Sequence, residues 1–221
     1  MGFTDFMTDQ FSGTGLACFR GGRMVFAGLS FRLSSGGAIL LKGPNGSGKS
    51  SLLRVMAGLL QPATGMLSWH DGDVTEEPET HFSRLHYVGH HDAVKPVLTV
   101  AENVRFWARL RGGGEGVEAA LEGLAIRHLA DVPGRFLSAG QKRRVNLARV
   151  LAHPATLWLL DEPTTALDTD TIKSFEQACA AHRARGGMVV ASTHAELALD
   201  GAEVLNLADF QTEEAYNDGL P

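Results

Sequence analysis

Cysteine is scarce: Cys18 and Cys179 are the only two among 221 residues. Their spacing fits no metal-binding or haem-attachment pattern, so they read as two reduced thiols of a cytosolic protein with no site of their own. Long apolar runs are missing too. None approaches the about 18 residues of a membrane-spanning helix, and the longest apolar piece, around 157–160, is of strand length. Any membrane role must therefore be peripheral. Residues 1–15 lack the basic start and apolar core of a secretory signal and read as a loose amino-terminal extension. Positive charge is also in deficit, with 20 Lys and Arg against 25 Asp and Glu and a net charge of -5. No overall cationic field invites nucleic acid, and the only dense basic run is 142–144.

Glycine, by contrast, is plentiful, and it is concentrated where it matters. Residues 43–50 read Gly-Pro-Asn-Gly-Ser-Gly-Lys-Ser, which fills every fixed position of the phosphate-binding pattern G-x-x-x-x-G-K-[ST]. The flanks are right: 38–41 reads as a buried strand, and from 50 to 60 apolar residues fall at Leu52, Leu53, Met56, Leu59 and Leu60, one face of a helix. Such a loop points successive N–H groups inward, and the helix start adds partial positive charge where a polyphosphate sits. The candidate cradle is Gly43, Pro44, Asn45, Gly46, Ser47, Gly48, Lys49, Ser50 and Ser51, with Lys49 reaching the terminal phosphates and the Ser50 hydroxyl binding Mg2+.

The rest of the chain supplies partners for that loop. Residues 16–19 and 24–31 read as strands of a small β-rich region, 65–69 as another strand, and 71–79 as a polar acidic loop. From 99 the pattern is helical, with Val100, Val104, Trp107 and Leu110 on one face; a second helical run covers 117–129. Ser138 caps a helix that runs to about 152. Residues 156–160 form an apolar strand ending in Asp161-Glu162, at the carboxyl end where ligands bind in open α/β sheets. Asp161 is the candidate Mg2+ residue and Glu162 the candidate general base for an attacking water. A helix over 169–185 and a strand over 188–192 follow. Alternating strands and helices predict an α/β P-loop nucleotide domain over 16–221 with a small antiparallel β region and an inserted helical subdomain at about 95–135. The histidines 70, 81, 86, 90 and 91 match no metal-ligand spacing and read as solvated loop residues.

Leu137-Ser138-Ala139-Gly140-Gln141 resembles the signature loop of ABC-type ATPases, with Ala139 where glycine is usual. It stands about twenty residues before the carboxylate-tipped strand. Residues 165–168 resemble the family's D-loop and His194 its switch histidine, and the resemblance covers roughly 16–207. It implies an ATPase in which Ser138, Gly140 and Asp168 act on nucleotide held by a second copy, as a nucleotide-sandwich homodimer using ATP and Mg2+. It also places His91 at the position of the catalytic glutamine, Arg20 where an aromatic usually stacks on adenine, and 142–144 on a solvated face of the signature helix. Within the family, residues 20–23, 87–107 and 157–163 most resemble the ATP-binding subunits of haem exporters in cytochrome c maturation. That implies an integral membrane permease and haem-handling subunits as partners, no nucleic acid, and peripheral association with the cytoplasmic face of a bacterial inner membrane. An exporter ATPase for a lipid or drug, a soluble mechanical ATPase and a P-loop kinase stay open as alternatives.

Overall fold

The computed structural model describes residues 9–193 and 197–211. Two sheets organise it. The first is antiparallel, with strand order β2-β1-β4-β5, and comprises β1 (Gln10–Arg20), β2 (Arg23–Ser34), β4 (Thr64–Trp69) and β5 (Gly72–Asp73). The second is parallel, with order β6-β7-β8-β3-β9, and comprises β3 (Ala38–Lys42), β6 (Leu85–Val88), β7 (Leu157–Asp161), β8 (Met188–Ser192) and β9 (Glu203–Asn206). Strands β7 and β8 are buried at every residue, as parallel strands covered on both faces must be.

Strand alternation divides the apolar side chains between two cores. Leu157, Leu159, Met188 and Val190 face helix α1 (Lys49–Met56) and the antiparallel sheet, joining Phe11, Phe26 and Leu52. Trp158, Leu160, Val189 and Ala191 face the opposite way, toward α3 (Val100–Arg109), α4 (Val117–Gly123), α5 (Ala139–Leu151) and α6 (Thr169–Ala184). The loop before α1 is thus pinned between the two sheets.

Several elements differ from the sequence expectation. Strand β1 starts at Gln10, so 10–15 belong to the sheet and not to a loose extension; Phe11 is fully buried against Phe31 and Trp69. Helix α1 stops at Met56 because Gly58 takes φ +69, leaving Leu59 exposed. The acidic loop holds a further helix, α2 (Pro78–Arg84), opened by proline at its first position, where no N–H is needed. The run 117–129 breaks after Gly123: Ala125 adopts φ 54, and the Ile126 N–H returns to the Leu121 carbonyl. Leu110 lies at the end of the α3 turn and is 65% exposed, off the buried stripe made by Val100 and Val104. Helices α3 and α4 fall inside 95–135.

Candidate nucleotide-binding and catalytic site

Strand β3 delivers the chain into the glycine loop at the carboxyl edge of the parallel sheet. Gly43, Gly46 and Gly48 take φ values of 133, 81 and 104, a left-handed path that side chains resist. Gly48 also has no room: a Cβ there would lie 2.6 Å from Val25 Cγ1, because β2 packs directly on the loop. Lys49 Nζ donates to the carbonyls of Gly43 (2.8 Å) and Pro44 (3.1 Å), folding the loop around its own ammonium. Burial pulls the Lys49 pKa down, opposed by the charges of Glu162 and Asp161.

Strands β7 and β8 bring the carboxylates to the same place. Asp161 is only 1% exposed. Its Oδ1 accepts from Ser50 Oγ (3.0 Å) and from Ser192 Oγ (2.7 Å), and its buried Oδ2 has no hydrogen-bond partner among the described residues. An orphaned carboxylate oxygen beside a serine hydroxyl suits a hard cation, whose ligands are oxygens. Glu162 follows in the left-handed region, at φ 50, an unfavourable conformation for glutamate. Its N–H bridges the carbonyl and the hydroxyl of Ser192, both at 3.1 Å, which fixes the turn.

These groups open on one cleft of about 740 Å³, lined by Arg20, Arg23, Asn45, Gly46, Gly48, Lys49, Ser50, Ser51, His90, Asp161 and Glu162. Ser138, Gly140 and Asp168 line a separate concavity of about 610 Å³ with His128 and Arg144. Ser138 caps α5 in a reciprocal capping box with Gln141, and Gly140 is required because a Cβ would meet the Ala166 carbonyl at 2.6 Å. Asp168 caps α6 through the Thr171 N–H and pairs with Arg144; those contacts, the cap first, lower its carboxyl pKa.

Residues 26–165 match the family model of the ABC transporter. The chain belongs to the ABC transporter ATP-binding family. The cytochrome c biogenesis ATP-binding export protein CcmA of Paramagnetospirillum magneticum is 61% identical over 214 residues, covering 94% of this chain and 99% of that protein. Its namesake from Rhodospirillum rubrum is 59% identical, covering 95% of this chain and 91% of that protein. Among solved structures, a putative ABC transporter ATP-binding protein from Pyrococcus furiosus superposes with a TM-score of 0.80 at 23% identity, covering 92% of this chain and 100% of that one. A bacterial Atm1-family ABC exporter with ATP bound gives 0.78 at 24% identity, covering 90% of this chain and 37% of that one. The chain is thus the ATP-binding, transport-coupled ATPase subunit of an ABC transporter.

Against the ABC pattern read from sequence, three placements change. His90, not His91, lines the cleft; His91 is exposed and only packs its ring edge on that of His90. His81 and His86 are buried, not solvated: His81 Nδ1 accepts from Trp69 Nε1 and its Nε2 donates to the Met56 carbonyl, while His86 Nε2 donates to the His153 carbonyl. The basic run 142–144 is not a solvated face. Arg143 is 4% exposed and donates to the carbonyls of Asp161 (2.5 Å), Glu162 (2.6 Å), Pro163 (3.3 Å) and Gly89 (3.0 Å) and to Asp92 Oδ1 (3.2 Å). It ties the signature helix to the carboxylate tip and to the His90 loop. Sequence reasoning also missed Ser192 and Arg23; a serine ending an apolar strand was the available signal for the first. His194 lies outside the described residues.

Proposed function

We propose that this subunit hydrolyses Mg-ATP at the cleft between the glycine loop and the β7 tip, and that hydrolysis drives haem export, or release of a haem-loaded chaperone, in cytochrome c maturation. The observation that carries the reaction is the convergence of Lys49, Ser50, Asp161 and Glu162 on one cleft. Lys49 and the inward N–H groups of 43–50 hold the β- and γ-phosphates. Ser50 and Asp161 would hold Mg2+, which would supply positive charge to the phosphoryl oxygens. Glu162 accepts the proton of the attacking water, and the strained turn held by Ser192 and Arg143 keeps its carboxylate aimed. His90 takes the catalytic place first expected of His91, and His194 serves as the switch histidine. The haem assignment rests on the CcmA relatives and on the sequence runs shared with such subunits.

The Ser138, Gly140 and Asp168 face completes the site on a second copy, giving a sandwich of two chains and two nucleotides. The pair sits on the cytoplasmic face of a bacterial inner membrane, held by an integral permease and haem-handling subunits. Replacement of Glu162 tests the chemistry. In Glu162→Gln, phosphate release falls at least about 100-fold while ATP affinity measured by calorimetry stays within about threefold of the parent. Hydrolysis at the parent rate removes Glu162 from the role of base.

A further inference from the structure

The hairpin between β1 and β2 carries a feature that the fold itself does not want. Gly21 and Gly22, at φ 59 and 78, make the tight two-residue turn, so Arg20 and Arg23 face each other as the last cross-strand pair. Like charges directly opposite on a hairpin are destabilising. Neither guanidinium has a carboxylate partner among the described residues. Both line the nucleotide cleft. Arg23 approaches the glycine loop: its Nη2 lies 3.8 Å from where a Cβ on Gly46 would stand. The hairpin is held there rigidly, since Val25 and Phe26 press on Gly48. Phe19, next to Arg20, is exposed and does not line the cleft, so among the described residues no Phe, Tyr or Trp lines it.

Two unpaired cations set against a phosphate loop are matched by an anion. A planar guanidinium forms charge-assisted bonds to phosphate oxygens, whereas it discriminates weakly between the faces of different bases. Building on the ATPase reading above, we propose that Arg23 is a further nucleotide-binding residue that donates to the triphosphate. Arg20 lies against the base and sugar. The hairpin therefore selects triphosphate charge and not adenine, and GTP enters the cleft nearly as well as ATP.

Calorimetric titration of the purified chain with Mg-ATP, Mg-GTP and Mg-tripolyphosphate separates the parts. The parent binds ATP and GTP within about threefold of each other. Arg23→Ala weakens all three ligands about tenfold, the loss expected for one partly exposed charge-assisted contact; Arg23→Lys, which keeps the charge, recovers most of it. Arg20→Ala weakens the two nucleotides and leaves tripolyphosphate unchanged. Unaltered binding in Arg23→Ala, or a loss confined to the nucleotides, overturns the triphosphate contact. A preference of the parent for ATP over GTP by about 100-fold overturns the charge-over-base reading. If the parent binds no ATP and Lys49→Ala changes nothing, the ATPase reading fails with it; if only Arg23→Ala is silent, that reading stands alone.

Discussion

Buried imidazoles make acid the weak point of the molecule at the scale of single residues. His182 stacks on Trp158 with ring centroids 4.0 Å apart and donates to the Met188 carbonyl; burial, with the nearby Arg185, holds its pKa at about 4. His86, buried beside Arg111, is held at about 3. The unfolded chain takes up these protons below about pH 6.5, the folded chain does not, so stability is full above that pH and is lost as the pH falls toward 4 and then 3. Between pH 6.5 and 5 each histidine costs about 2 kcal/mol at most. Urea unfolding at pH 7.5 and 5 checks this. In His182→Gln, which keeps a donor and cannot be protonated, the drop between the two pH values shrinks, the remainder coming from His86 and from His81, whose pKa burial also lowers, although the variant starts lower at pH 7.5 for want of the stack. An unchanged drop refutes the assignment. At this same scale some of the site was open to sequence reading and some was not. Gly43, Lys49 and Ser50 lie within eight consecutive residues, and their chemistry depends on one local path. His90 and His91 are adjacent in an irregular loop, where no helix or strand period tells which ring turns inward.

Arg143 shows what is decided only when elements meet. Three successive basic residues look alike along α5, yet one is buried among carbonyls of β7 and the His90 loop while the next pairs with a half-exposed Asp168. Which one turns inward depends on how α5 is rolled against the strand tip, a contact across 18 residues of sequence to Asp161 that no local pattern states. The two neighbours should therefore respond very differently to truncation. Arg143→Ala strands several buried carbonyls and is expected to cost about 3–5 kcal/mol in equilibrium unfolding, with ATP hydrolysis lost as the Glu162 turn slackens. Arg144→Ala removes a pair that solvent screens and leaves the unfolding free energy nearly unchanged. Equal costs would mean that α5 is not the brace of the carboxylate tip. Helix α2 was missed for another reason: its Pro78 opening and basic last turn are helix signals, but the surrounding acidic, turn-rich composition reads as loop.

For the molecule as a whole, the question is where work done at the cleft leaves it. Among the described residues no helix is long and apolar enough to cross a membrane. The glycine loop and the carboxylates open on one cleft, and Ser138, Gly140 and Asp168 on a separate concavity. Away from both, a groove of about 170 Å³ runs between the core and the helical subdomain, lined by Leu59, Phe82, Tyr87, Trp107, Arg111 and Arg149. Leu59 and Phe82 are exposed apolar side chains, with Phe82 41% accessible beside the buried His81 of α2. Arg149 spans the distance to the site: it lies over the Trp107 ring at 4.8 Å and donates to the Tyr87 carbonyl, two residues before Gly89, whose own carbonyl Arg143 holds. A permease segment seated here would lean on the same loop that carries His90. The expected outcome of Phe82→Glu, which puts a charge on the groove without touching the cleft, is a subunit that hydrolyses ATP normally when purified alone but no longer sediments with native membranes. Sedimentation at the parent level would refute this groove as the docking surface.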